Sequence, residues 1–291
     1  MALRTFTKPA LSAVDLVRFL AGKGLIVTDN AKAEHAMAYI GYYRLKIYTR
    51  HFEEVNKQFK AGTTFDHILD VYEFDRNLRL KCLDAIERIE VALRACIINE
   101  MGSIGSPHFY YNEQYFENKD AVTSIRQLGM KAKHLSVTHY KANYESPALP
   151  PIWCLTEAST FGQLSTLYAD LDIAYRKRIA KKFGFDETIC VSWFRSIAML
   201  RNICAHHNRL WDAELRVNSP KIARAYAVDL ANNTKCYARM AVLQALLKTI
   251  NHNGHSDWVA AVKRFIKDRP AAISLSDMGF PETWENHSLW N

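Results

Sequence analysis

From Asp66 to Met101 the chain contains neither glycine nor proline. Within that stretch apolar residues recur at Leu78, Cys82, Ile86, Ile89, Leu93 and Cys96, the spacing of one helical face. Asp75–Arg79, Asp84–Arg88 and Glu90–Arg94 are spaced four apart with the acid first, the orientation that supports a helix. "GSIGSP" at 102–107 supplies the stop. Patterns of this period dominate the whole chain, so an all-α fold is expected.

The rest of the chain agrees. Only 11 glycines and 8 prolines occur among 291 residues, and alternation of the strand type is scarce. Helices are expected over 12–21, capped by Ser12, and over 30–40. "HFYYNEQYF" (108–116) reads as helical, and 129–151 as a loop or arm rich in Lys, His and Tyr. Helical pattern resumes over 152–171, interrupted by "FG" at 161–162, and again over 175–183. Another helix begins near Asp186 and runs into "RNICAHHNRLW" at 201–211, with Trp193, Ile197, Leu200 and Cys204 as its stripe. Pro220 suits a first helical turn, so a helix is expected from there to about Ile250. A last one covers 257–266. The organisation expected is an accessory helical segment over 1–60, a main helical domain over 61–251, and a C-terminal helix and tail over 252–291.

Charge and cysteines narrow the class. A net charge of +8 fits an anionic partner such as nucleic acid, and equally fits ordinary solubility. The six cysteines form no CxxC pair, which points to free thiols in a reducing compartment rather than a disulfide framework or zinc knuckle. The first residues carry no apolar core of signal-peptide length, and no run of 18 apolar residues occurs. A cytoplasmic protein with no membrane partner is expected.

The chemistry concentrates in "RNICAHHNRLW". On a continuous helix Arg201 and His206 are about 140° and roughly 7.5 Å apart. Arg201 lies beside the apolar stripe, and His207, seven residues after Leu200, falls on it. Polar groups on a face that must pack suggest a second copy of the same helix across a two-fold axis. Two Arg and two His would then meet in one groove. That set suits RNA cleavage, in which the 2′-hydroxyl attacks its neighbouring phosphate. Histidine can serve as base or acid, and arginine can hold the phosphate oxygens. Other readings compete. Such residues often cap a helix or close a core. A metal site from His206, His207 and Asp212 lacks a further ligand at helical spacing. Cys204 as nucleophile lacks an activating environment.

"RNICAHHNRLW" resembles the Arg-Asn-x-x-Ala-His…Arg-Leu-Trp signature of the Abi-like (AbiD/AbiF type) abortive infection proteins. Four other blocks resemble that family in order: "KPALSAVDLVRFLAGKGLIV" (8–27), "YIGYYRLKIYTRHF" (39–52), "YEFDRNLRLKCLDAIERIEVALRACI" (72–97) and "PPIWCLTEASTFGQLSTLY" (150–168). The resemblance implies a HEPN-like helical bundle, and a metal- and cofactor-independent endoribonuclease with a composite site in a homodimer. It implies Arg201 and His206 as the motif pair, Asn202 as the polar residue after the arginine, and His207 as an alternative histidine. Arg209 matches the family's following arginine, while Asp212 departs from the expected amide. It further implies a toxin in phage defence or a toxin–antitoxin system, acting on RNA and in some cases restrained by a structured RNA antitoxin. A non-catalytic RNA-binding scaffold on the same fold is the alternative.

Further residues are candidates for RNA contact. Tyr42, Tyr43, Arg44 and Lys46 mix stacking surfaces with cations, although the tyrosines could equally pack the N-terminal helices. Lys131, Lys133, His134, His139 and Lys141 could track a phosphate backbone, as could Arg176, Lys177, Arg178, Lys181 and Lys182. A solvated charged face explains both sets as well. Glu87, Glu90 and Arg94 read as helix ion pairs, or as residues that orient Arg201 or His206.

Overall fold

The computed structural model describes residues 5, 7, 9–118, 120–251 and 257–291. Lys8, which opens the 8–27 block, and 252–256, which open the expected C-terminal segment, lie outside them. Among the described residues there are helices and turns, and only isolated β-bridges in place of a sheet. The fold is all-α. The chain forms two compact units: residues 1–77 with 269–273, and residues 78–268 with 274–291.

In the first unit, α1 (Ala13–Ala21) is capped by Ser12, whose side chain accepts from the Asp15 amide at 3.1 Å. Asp29 caps α2 (Asn30–Tyr39) by accepting from the Lys32 amide at 2.9 Å, and α2 packs against α1. Gly41, at φ 89°, makes the turn into α3 (Tyr42–Thr49) that a side chain would resist. There the Tyr48 hydroxyl, buried, donates to Asp75 at 2.6 Å.

The Gly- and Pro-free stretch is one helix, α4 (Phe65–Ile104). Its residues from Leu78 onward belong to the second unit, where Leu78, Cys82, Ala85, Ile86, Ile89, Leu93, Ile97 and Met101 are buried. Cys96 is only half-buried, so the stripe passes through Ile97 instead. Asp84–Arg88 and Glu90–Arg94 pair at 3.1 Å each. Then follow α5 (Asp120–Lys131), α6 (Leu135–Asn143), α7 (Ile152–Glu157), α8 (Phe161–Asp170), α9 (Ile173–Lys182) and α10 (Glu187–Ala205). The last helices are α11 (Cys236–Ile250) and α12 (Asp257–Lys267). α10 packs against α8, α9 and α11. Every residue of α11 from Cys236 to Leu247 is buried, the pattern of a central helix. The C-terminal tail closes the unit with Trp284 and Trp290 against Tyr237, and the Trp258 indole donates to the Lys81 carbonyl at 2.6 Å.

Four local expectations are corrected. Residues 129–151 are a loop only at 132–134 and 144–151: α5 extends to Lys131, and α6 forms because Val137 and Tyr140 are buried and His134 Nδ1 caps its first turn. The break expected at "FG" (161–162) falls just before it, at 158–160, and "FG" itself begins α8 through a capping box between Thr160 and Gln163. The helix expected from Pro220 begins only at Cys236, and 221–235 is turns with a short 3-10 stretch at Arg224–Tyr226. "HFYYNEQYF" folds as two 3-10 turns, Phe109–Tyr111 and Glu113–Tyr115. All six cysteines are free thiols, and burial pushes the Cys190 thiol up to about 12.

Candidate functional site

The apolar stripe of α10 is buried at Cys190, Trp193, Ile197, Leu200 and Cys204, and this fixes where its polar residues point. Asn202 and His206 are exposed, and Arg201 is half-buried. Asn202 and His206, four apart, are neighbours on the last turn.

The helix ends immediately after, by a specific turn. The His207 amide donates to Cys204 O at 3.1 Å and the Asn208 amide to Ile203 O at 2.9 Å. This pair of bonds is the Schellman motif. It requires a left-handed residue after the cap, and His207 takes that place at φ 58°, where glycine is usual. Leu210 and Trp211 are then driven into the core. His207 is therefore not on the stripe, as a continuous helix would have it. It is exposed and turned away, because the helix stops at Ala205.

The turn is held on several sides. Arg79 Nη1 donates to Asn208 O at 3.3 Å. Arg209 donates to Asp212 O at 3.1 Å and lies 6.0 Å from the Trp211 ring centroid. Further along, the buried Arg239 guanidinium donates to the carbonyls of Leu215, Val217 and Asn218 and to Ser196 on α10. Burial pushes this guanidinium down to about 10, still well above neutrality, so it remains a cation at working pH. A lone charge in the run "CYARMAVLQALL" was the sequence signal for Arg239, and it was missed. Arg79 reads from the sequence as a helix pair with Asp75, which does not announce its bond to this turn.

Arg201 faces α4. Its Nη1 donates to Asn202 Oδ1 at 3.4 Å, and it lines a groove of about 240 Å³ with Leu83, Ile86, Glu87, Glu90, Val91 and Arg94. Arg94 is held by Glu90 at 3.1 Å and Glu157 at 3.8 Å. Both carboxylates facing Arg201 are thus among those singled out from the sequence. The His206 ring makes no hydrogen bond among the described residues. One chain therefore presents a guanidinium and an imidazole at an open helix end, within reach of a polymer. These groups can hold a phosphate oxygen and move a proton. Among the described residues there is no group of three or more His, Cys, Asp or Glu that could hold a metal.

The remaining candidates scatter. Tyr42, Tyr43, Arg44 and Lys46 belong to the first unit, where Tyr42 packs edge-on against Phe19 at 6.2 Å and Lys46 lies over Tyr42 at 5.6 Å. Tyr43 is exposed. Lys131 lines a concavity of about 630 Å³ between α5 and α8, Lys133 is exposed, and Lys141 donates to Met130 O at 2.8 Å. Arg176 is bound to Glu117 at 2.5 Å and to Ala169 O at 2.6 Å, and Arg178 to Glu100 at 2.9 Å. Of the motif residues, Arg201 and Asn202 are joined by a hydrogen bond, and none of the second unit's candidate cations lines the Arg201 groove.

Among the described residues no helix is long and apolar enough to cross a membrane. No curated protein and no solved structure matches the chain. A family model described as Abi-like protein matches residues 35–212, more than half of the sequence, and its span ends just past the turn that carries Arg201, His206 and Trp211. The chain belongs to the Abi-like protein family.

Proposed function

We propose that this protein is a metal-independent endoribonuclease of a bacterial phage-defence (abortive infection) or toxin–antitoxin system. Membership of the Abi-like family supports the defence role. The observation that carries the chemistry is the last turn of α10. It holds Arg201 half-buried over a groove and leaves Asn202 and His206 open, while the stripe beside them is buried.

Cleavage by the 2′-hydroxyl route needs a base for the 2′-proton, an acid for the 5′-oxygen, and a cation for the phosphorane. The nucleophile is the RNA's own 2′-oxygen. It forms a bond to phosphorus as the bond to the 5′-oxygen breaks. One proton leaves the 2′-hydroxyl and one reaches the 5′-oxygen, and the product ends are a 2′,3′-cyclic phosphate and a 5′-hydroxyl. One His206 cannot begin as both base and acid, so the site is completed by the same turn of a second copy. Arg201 supplies the guanidinium for the phosphate oxygens. Asn202, beside His206 on the exposed side, supplies a neutral hydrogen-bonding group. A restraining partner, such as a structured RNA, would act by covering this turn.

The test is incubation of end-labelled RNA with wild type and with His206→Ala in EDTA. Wild type is expected to cut RNA, leave a cyclic phosphate and spare DNA of the same sequence, and His206→Ala is expected to be inactive. Equal cutting by both, or equal cutting of DNA, would refute the reading. RNA binding by both without cleavage would move it to the RNA-binding scaffold.

A further inference from the structure

The cations of α9 divide into two sets. Arg178 and Lys182 are held by Glu100 of α4, both at 2.9 Å. Lys177 and Lys181, four apart on another side of the helix, are exposed and make no ion pair among the described residues. They line a concavity of about 760 Å³ with Arg224, from the turn segment before α11. A second concavity of about 390 Å³ adjoins it, sharing Glu187 and Thr188, and carries Arg195 and Lys221. These two are exposed and make no close ion pair among the described residues, although the Arg195 charge is felt by Asp170. Arg176 also lines the second concavity but is committed to Glu117.

The two concavities make one continuous groove along the first half of α10. Its acids are Asp186 and Glu187 near the middle, and they are outnumbered by the exposed cations at both ends. Its wider end is lined in part by apolar side chains, Phe185, Ile189 and Ile222. Like charges held along a trough repel one another, and an extended polyanion relieves that repulsion by replacing condensed counterions with lysine and arginine. Apolar surface between the cations gives sugars and bases something to rest on. An isolated phosphate would engage one end of the groove only.

We propose that this groove binds the phosphate backbone of single-stranded RNA, at a distance from the Arg201–His206 turn, which lies at the other end of the same helix. The identity of the polyanion as RNA rests on the ribonuclease reading; the groove itself does not.

The test measures binding in a His206→Ala background, so that the RNA survives. The probe is a fluorescein-labelled 20-nucleotide oligouridylate, titrated at several salt concentrations. The triple variant Lys177→Gln, Lys181→Gln, Arg224→Gln is expected to reduce the slope of log affinity against log salt by about 2, near 0.7 for each lost phosphate contact. At 0.1 M salt that corresponds to about a hundredfold weaker binding. The double variant Arg178→Gln, Lys182→Gln removes cations from another side of α9 and is expected to leave the slope unchanged. An equal loss from both variants would overturn the groove, because general charge would then explain it. An unchanged slope in the triple variant, with its thermal melt intact, would overturn it outright. Uridine monophosphate is expected not to compete at equal ionic strength, and competition as strong as the 20-mer's would replace the polymer with a free nucleotide. If the parent fails to bind the 20-mer the groove proposal falls. The ribonuclease reading is judged separately, by wild-type cleavage in EDTA.

Discussion

His207 shows how one residue can be decisive for reasons unrelated to its side-chain chemistry. A non-glycine residue in the left-handed region costs about 1 kcal/mol or more, and here it sits in a turn built on two backbone hydrogen bonds. Relieving that cost separates the two histidines. His207→Gly is expected to stabilise the protein by about 0.5–1 kcal/mol in chemical denaturation and to keep RNA cleavage, since the cap that positions His206 is preserved. A more stable protein that no longer cuts would transfer the proton chemistry from His206 to His207. The turn was hidden in the sequence for the same reason. Glycine or asparagine announces a left-handed cap, and a histidine there reads as one more helical position. Arg201 and Asn202, inside the regular helix, lie where periodicity puts them.

Among the elements, legibility followed how strongly an apolar face was marked. α4 and α10 carry long buried stripes without breakers, and their limits fall within a few residues of expectation. α6 buries only Val137 and Tyr140, too little to show a period among its polar residues. α11 is buried on every side, so it has no polar face to mark its start, and Pro220 stood in for one. The clamp between α4 and α9 could not be read at all, because Glu100 meets Arg178 and Lys182 only in the fold. Hydrogen bonds from Lys182 and Arg178 hold the Glu100 carboxyl below its ordinary value of 4.5. A carboxylate with a lowered native pKa adds stability above its unfolded value, and loses it as pH falls through the native one. Glu100→Gln is therefore expected to cost about 1 kcal/mol at pH 7, and the difference from wild type should vanish in acid, below the native pKa of Glu100. Denaturation curves at both ends of that range check this, and a cost that persists in acid would mean the clamp is not electrostatic.

At the scale of the whole molecule, the feature that matters is the apolar surface of α4 beside the Arg201 groove. Leu80 and Val91 on α4 are half-exposed apolar residues on one side of the helix, and Val91 lines that groove. A second copy seated there would cover them and bring a second His206 to the site. Sedimentation is expected to give a dimer at micromolar concentration, and Leu80→Glu with Val91→Glu a folded monomer that does not cleave RNA. A monomeric wild type with full activity would remove the second copy from the mechanism. The exposed position of His206 has a genetic corollary. Because its ring supports nothing in the core, an allele that loses it still yields a folded chain. In a two-copy site such a chain would pair with an intact one and disable it, so a single damaged gene copy would act as a dominant suppressor of its neighbour.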